Sequence, residues 1–264
     1  MITVTGLLAH AVSQEGVLFY TARSSFNTAE PGLPVQSFNS ANMSAGNLLV
    51  ESPQISSSTS DSIFSLGSIL SNLTISAPTA LEVVKGGPVP GASVYVGPEY
   101  FQTGLNLSFA QGVSAVGADV FILYPGHQNP ADSFTATVYN GTTMLGSHTF
   151  SEAANSYAFA GVSSTTPITQ VTLLYDGGFD AATFAANIAF GTSVPNLTIV
   201  PNGTNSVIIL WPAPATNSYT LQQNSNLATT NWTTTGYAIT NGFGTNFCTI
   251  TPATGNLFFR LRHP

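Results

Sequence analysis

Four histidines, one cysteine, eleven acidic and four basic side chains are nearly all that this 264-residue chain offers for ionic, nucleophilic or metal chemistry. A serine hydrolase needs a nucleophile, a histidine base and an acid that orients it. No Gly-x-Ser-x-Gly elbow exists, and Gly112-Val113-Ser114-Ala115-Val116 lacks the second glycine and opens a strand-like run rather than a helix. His10 and His263 sit near the chain ends, and neither they nor His127 and His148 lie at metal-ligand spacing from one another. Phosphate-loop and dinucleotide fingerprints are absent. The sequence therefore reads as a protein without catalytic machinery of its own.

The carboxylates deserve separate weighing, because a glycoside-cleaving pair need not be close in sequence. Asp119 interrupts the apolar run Val116–Leu123, on the same face as Phe121 and Leu123. A carboxylate there must be hydrogen-bonded or paired, since burying it free is costly; a satisfied structural group is the first expectation and a metal ligand the second. Asp176-Gly177-Gly178-Phe179-Asp180 places two carboxylates on one short loop, which suits a calcium ion but equally suits simple turn chemistry. Asp119, Asp176 and Asp180 are thus the candidate ligands for a structural calcium, and no other cofactor is expected.

The strongest ligand-binding candidate is the segment Tyr124-Pro125-Gly126-His127-Gln128-Asn129-Pro130-Ala131-Asp132. It joins two strand-like runs and combines a ring to stack on with amide, imidazole and carboxylate groups, the mix that sugar recognition uses. Tyr124, His127, Asn129 and Asp132 are its candidate contacts; a rigid proline-bearing connector is the competing reading. Tyr95, Tyr100 and Phe101 form a second aromatic group, read as packing at the edge of the core.

Composition bounds the partners. Charged residues are 6% of the chain, against roughly 25% in an average soluble domain. Four Lys+Arg against eleven Asp+Glu give a formal net charge of −7, which argues against nucleic acid and against anionic membrane surfaces. No segment approaches the ~18 consecutive apolar residues of a membrane helix. A hydrophobic content of 43% supports a packed core. Cys248 stands alone in an alternating run and reads as a small buried hydrophobe. Ile2–Ala11 is apolar and ends in Ala9-His10-Ala11, a small-x-small pattern read as the tail of a signal sequence; the alternative is a first strand over Ile2–Thr5.

What must position these groups is β structure. Period-two alternation recurs throughout and helical spacing is almost absent. Phe134–Tyr139, Asn140-Gly141 and Thr142–Phe150 predict a hairpin in which Asn-Gly supplies positive φ angles. Further strands are predicted at Val17–Thr21, Asn47–Glu51, Ile69–Ser76, Ser93–Val96, Leu105–Phe109, Val113–Tyr124, Tyr157–Val162, Ile168–Tyr175 and Thr183–Phe190, with one short helical turn within Ser24–Pro34. After Gly191-Thr192-Ser193-Val194-Pro195 the pattern restarts over Leu197–Val200, Ser206–Trp211, Ser218–Gln223, Trp232–Ile239, Asn246–Ile250 and Leu257–Arg262, with Trp211 as the expected core anchor. The fold class is all-β: a jelly-roll-like sandwich over 17–191 and, after a linker at 192–196, an immunoglobulin- or fibronectin type III-like sandwich over 197–264, preceded by the signal remnant or strand at 1–16.

Two stretches resemble known modules. Phe19–Phe26, Pro31-Gly32-Leu33, Phe38, Leu107-Ser108-Phe109, Val113–Val120, Leu145-Gly146-Ser147, Ala160–Ser164, Pro167-Ile168 and Asn187–Gly191 together resemble the β-sandwich of bacterial secreted proteins of the PEP-CTERM type. Leu210-Trp211-Pro212, Tyr219–Gln222, Asn226-Leu227, Asn231-Trp232 and Phe258–Arg262 look like a C-terminal module of exported proteins from Verrucomicrobia-like bacteria. Such sandwiches are similar to carbohydrate-binding modules, which often hold calcium through a carboxylate after the early Phe and another before the last strand. Here those positions read Phe38-Asn39 and Ala186-Asn187, both amides, which weakens the calcium inference.

These resemblances imply a bacterial protein, secreted or held at the cell surface, with a polysaccharide or matrix component as partner. The leading expectation is a non-catalytic binding or adhesion protein. The alternative is a structural subunit that self-associates through strand edges into a filament or coat. A glycan-active enzyme is the third reading.

Overall fold

The computed structural model describes residues 12–14, 16–46, 48–86, 94–100, 103–124, 131–177, 181–192, 197–212, 219–242, 245–252 and 255–262. The chain divides into two compact units, Met1–Ser193 and Val194–Pro264. Ile2–Ala11, including the Ile2–Thr5 strand alternative, lies outside the described residues, as do most of the linker and Phe101.

The first unit carries, in chain order, β1 (Val12–Gln14), β2 (Val17–Tyr20), α1 (Arg23–Ala29), β3 (Val35–Gln36), β4 (Leu48–Glu51), β5 (Gln54–Ser56), β6 (Leu73–Ser76), β7 (Leu81–Lys85), β8 (Val94–Pro98), β9 (Leu105–Leu123), β10 (Asp132–Asn140), β11 (Thr143–Glu152), β12 (Ala158–Tyr175) and β13 (Ala182–Gly191). Two of these strands are long enough to serve both layers of a sandwich. The latter part of β9 and the first part of β12 lie in the order β1-β2-β12-β9-β13-β8-β7-β4. Their other limbs pair into a second layer, β11-β10-β12-β9-β6-β5. All of these pairings are antiparallel.

The sequence reading divided each long strand in two, at 110–112 and at 163–167, and the structure bends them there without breaking them. Register slips between Ser163 and Gln170 mark the bend in β12. In β9 the bend exposes Ala110, Gln111 and Gly112, and a Cβ on Gly112 would come within 2.7 Å of the Pro167 ring. Gln111 is held by a side chain instead of a strand: Asn72 Nδ2 donates to its carbonyl at 2.8 Å and its N–H donates to Asn72 Oδ1 at 2.5 Å. The backbone groups a bend frees thus keep partners.

Between the layers lies the main core. Leu105, Leu107 and Phe109 of one limb of β9 share it with Val116, Ala118 and Val120 of the other, and with Phe134, Ala136, Val138 and Phe150 of the hairpin. The void left between them is about 10 Å³, at the lower limit for one water molecule. In the β10–β11 hairpin, Asn140 pairs with Thr143, so Gly141 and Thr142 are the two turn residues. Gly141 alone of the turn has a positive φ, 58°. This corrects the expected Asn-Gly centre: glycine at the first central position is the type II′ solution.

The outer face of the first layer is buried as well. Ala115, Tyr20 and Phe159 form a second apolar group with Phe26 of α1. Gly117 and Gly161 are cross-strand partners, and their missing side chains leave a notch for two rings. A Cβ on Gly117 would lie 2.7 Å from the Phe159 ring and 2.9 Å from that of Phe26; one on Gly161 would meet the same rings at 2.7 and 3.0 Å. A seven-residue helix is too short to persist on propensity alone. Phe26, fully buried and edge-on to Tyr20 at 5.5 Å, fixes it to the sheet.

The second unit has two small antiparallel sheets. One is β14 (Thr198–Pro201), β15 (Val207–Pro212), β19 (Thr245–Ile250) and β18 (Thr240–Gly242); the other is β17 (Thr233–Thr234), β16 (Thr220–Asn224) and β20 (Phe258–Arg262). Ile209, Trp211, Leu221, Cys248 and Ile250 form its core, with Trp211 2% exposed. The predicted strand over Trp232–Ile239 shrinks to Thr233–Thr234.

Replacing Gly117 by Ala should lower stability by about 1–3 kcal/mol, because two packed rings must move. Urea unfolding checks this, and an unchanged midpoint would mean that the notch does not seat Phe26.

Candidate functional site

Arg23 opens α1, directly after the exposed Thr21 and the extended Ala22. Its Nε donates to Asp119 Oδ1 at 3.0 Å, and its Nη2 lies 2.8 Å from the same oxygen. Nη2 also donates to the Asn187 carbonyl at 2.9 Å. The second carboxylate oxygen of Asp119 accepts Asn187 Nδ2 at 2.8 Å. Phe159 lies against the guanidinium, 4.7 Å from ring centroid to Cζ. Asn187 occupies a bulge of β13 between Ala186, opposite Asp119, and Ala189, opposite Gly117. Its φ of 46° suits asparagine, which tolerates the left-handed region better than most residues.

Asp119 is 4% exposed, and both of its oxygens face N–H donors. It is the satisfied structural group that its place in an apolar strand demands. A carboxylate at 187 would have set two acids side by side; the amide instead contributes a donor. Among the described residues, no group of three or more His, Cys, Asp or Glu side chains converges as a metal site. Asp176 is exposed just past β12, its N–H donating to Ser133 O at 3.2 Å. Asp180 lies outside the described residues.

Beside the ion pair is a cleft of about 400 Å³ lined by Thr21, Ala22, Arg23, Phe150, Ser151, Ser156, Tyr157, Ala158 and Phe159. Three chain segments meet there: the β2–α1 connection, the end of β11 and the start of β12. It offers the guanidinium, whose side chain is 28% exposed, a half-buried tyrosine ring, and the hydroxyls of Thr21, Ser151 and Ser156. Dipoles and one aromatic face in a concave site suit a polyhydroxylated ligand.

The second polar group lies at the far end of the β10–β11 hairpin. Tyr124, from the end of β9, and Tyr175, from the end of β12, both donate to Asp132 Oδ2, Tyr175 at 2.8 Å. Their phenol oxygens are 2.5 Å apart, and Ser133 N–H donates to Asp132 Oδ1 at 2.8 Å. Burial alone would raise the Asp132 carboxyl, but these three donors hold it below its ordinary value. Burial, followed by the bonds to Asp132 and Tyr175, drives the Tyr124 phenol far above the usual tyrosine range. Of the four expected ligand contacts, Tyr124 and Asp132 therefore meet each other and clasp the ends of their segment. His127 and Asn129 lie outside the described residues.

Glu152 stands opposite Asp132 in the hairpin and is 4% exposed. Its Oε1 accepts the Ile122 N–H at 3.0 Å, and its Oε2 has no partner. Burial pushes this carboxyl up to about 8; the Ile122 bond opposes that rise and the charge on Asp132 adds to it. Asp132 and Glu152 thus have opposite shifts, but the buried Glu152 and the saturated Asp132 are bound up in holding strands together.

Sequence reasoning did not single out Arg23, Asn187, Ser151, Ser156, Tyr157 or Glu152 as site residues. One signal was available for Arg23: in a chain with only four Lys+Arg, a cation beside an aromatic cluster is a rare placement. Ser151, Ser156 and Tyr157 carry no pattern of their own and become a site through strand geometry. No protein-family model matches the chain, and no curated protein matches it either.

The Glu152 shift has a definite sign. Its folded-state value lies above the ordinary 4.5, so between roughly pH 4.5 and 8 the folded protein keeps a proton that the unfolded chain releases. The associated stability is full below the unfolded value and is lost as pH rises through about 8. Glu82, pushed up to about 7 by burial and then by Glu99, acts in the same sense. The thermal midpoint should therefore fall between about pH 5 and about pH 9, and Glu152→Gln should flatten that fall. Parallel slopes for the two proteins would contradict the assignment.

Proposed function

We propose that this chain is an exported, non-catalytic binding protein of the cell surface or matrix, whose first unit takes a glycan in the cleft beside Arg23. The observation that carries the reading is the cleft itself: about 400 Å³, walled by hydroxyls, a tyrosine ring and a guanidinium anchored on its inner edge. Sugar recognition draws on such surfaces, where rings stack against pyranose faces and fixed donors meet hydroxyls. The two carboxylates with opposite shifts support binding rather than catalysis, since Glu152 is buried away from any substrate. Export and bacterial origin rest on the resemblance of both units to secreted modules. The anionic composition favours neither nucleic acid nor an anionic membrane. Among the described residues, no helix is long and apolar enough to cross a membrane.

Ser151→Trp tests the reading without touching the ion pair, because Ser151 is exposed at the cleft wall. Affinity electrophoresis of the full chain through gels containing single polysaccharides should show retardation by at least one of them. The tryptophan variant, folded by circular dichroism, should migrate freely. Equal retardation of both proteins would move the site elsewhere, and no retardation by any polysaccharide would end the glycan reading.

A second reading is favoured by one observation in the second unit. Among the described residues of this unit β14 pairs only with β15, at the end of its sheet, and it presents Ile199 and Val200, 54% and 43% exposed. Such edges are templates for strand addition, the contact from which a filament or coat is built. Light scattering across concentration separates the readings: ordered growth that Val200→Lys abolishes supports assembly, and a monomer at every concentration excludes it.

A further inference from the structure

The cleft's chemistry narrows the ligand class, an inference that rests on the glycan reading above. A guanidinium has five N–H donors in one plane. In Arg23 the Nε–H donates to Asp119, and Nη2 donates to the Asn187 carbonyl while lying 2.8 Å from Asp119 Oδ1. The two Nη1 hydrogens have no partner among the described residues, while the side chain keeps 28% of its surface exposed where it lines the cleft. Held along one edge by the carboxylate and from one face by Phe159, the group cannot turn its remaining edge away. It is a fixed pair of donors that waits for a pair of acceptors.

Charge decides which acceptors suit it. The Arg23 cation is neutralised at 2.8 Å by Asp119, so the cleft offers directed donors with little net positive potential. The first unit's other basic side chain, Lys85, is engaged elsewhere, donating to Met43 O at 2.6 Å. The remaining lining groups are hydroxyls, a phenol and apolar surface. A polyanion would approach a chain of formal charge −7 and find no uncompensated cation among the residues that line the cleft. The hydroxyl oxygens of a neutral sugar accept such donors and carry no desolvation cost of a charge.

We infer that the cleft recognises a neutral polysaccharide through its ring hydroxyls, with Arg23 Nη1 as the specificity-determining donor and Tyr157 as the stacking surface. Acidic glycans of the uronate class are excluded by the same arrangement. Binding is consequently insensitive to salt, since no net charge is neutralised on association.

The test is calorimetry of the full chain against neutral glucans, mannans and xylans, each also after periodate cleavage of its vicinal diols, and against polygalacturonate and alginate. A neutral polymer should bind equally at low and high salt, and its periodate-treated form should lose affinity roughly tenfold or more, the scale of a hydrogen bond to a charged group. Arg23→Lys, which retains the charge but not the planar fork of donors, should lose a similar factor. If that variant unfolds, Tyr157→Ala, which leaves the ion pair intact, should show the loss. Binding that survives periodate, or that is indifferent to both substitutions, overturns the inference. Binding to a polyuronate that vanishes with salt and with Ser151→Trp would also overturn it while leaving the cleft as the glycan site; no polysaccharide bound at all would remove both.

Discussion

A single buried carboxylate organises the first unit. Asp119 sits in the middle of β9, with strands paired on both sides and 4% of its surface exposed. Burying such a group without partners costs several kcal/mol. The chain has four basic side chains, and one of them is committed here. That commitment fixes where α1 begins, since Arg23 must stand over Asp119. It also explains why β13 carries a bulge at Asn187, which turns both an amide and a carbonyl toward the pair. A buried ion pair is poor evidence for stability as such. Its consequence here is geometric: one cation is locked in one orientation beside a cleft.

The rest of the scaffold follows from two strands that refuse to stay in one sheet. β9 and β12 cross from layer to layer, and each crossing strips backbone groups of a neighbour. Side chains supply the missing partners. Asn72 satisfies Gln111 at the bend of β9. β12 begins only at Ala158, opposite Val120, so near the end of β9 the Ile122 N–H is met by Glu152 instead. A glycine is spent wherever the two strands must approach something bulky: Gly112 under Pro167, Gly117 and Gly161 under Phe26 and Phe159. The last pair links fold to site, because the rings that fill the notch hold the helix that presents Arg23.

Legibility in the sequence tracked the range of the interactions. The all-β class, the hairpin at Phe134–Phe150 and the short helix near Ser24 were readable because alternation, turn residues and local spacing are written in adjacent positions. The long strands were divided in two because a bend and a break have the same local signature, small or polar residues between apolar runs. β1, β3, β5, β7 and β18 were missed; Val12–Gln14, Val35–Gln36, Gln54–Ser56 and Thr240–Gly242 are too short for any period to register. The need of Asp119 for a partner was legible from the strand around it, but not the partner's identity, since Arg23 is 96 positions away. Tyr124 and Asp132 were selected as sugar contacts on a connecting loop, and the structure instead turns their phenol and carboxylate toward each other. Tyr175, the third member of that clasp, arrives from a strand 43 positions beyond Asp132.

Scarcity of charge is what joins the composition to the kind of recognition this surface can perform. Of the four basic side chains, Arg23 is held by Asp119, Lys85 by the Met43 carbonyl, and Arg260 by Gln222 Oε1 at 2.9 Å and the face of Trp232 at 4.4 Å. Arg262, the fourth, is exposed; against eleven acidic side chains these four cations cannot steer an anionic partner from a distance, so contacts must come from hydroxyls, amides and ring faces acting at van der Waals range. Each such contact is individually modest, and a single shallow cleft built from them binds weakly. Weak sites become effective when many copies face a repeating polymer, because each later engagement is intramolecular and governed by effective concentration rather than by new contacts. On the glycan-binding reading proposed above, a charge-poor module therefore suits an immobilised array better than a free carrier.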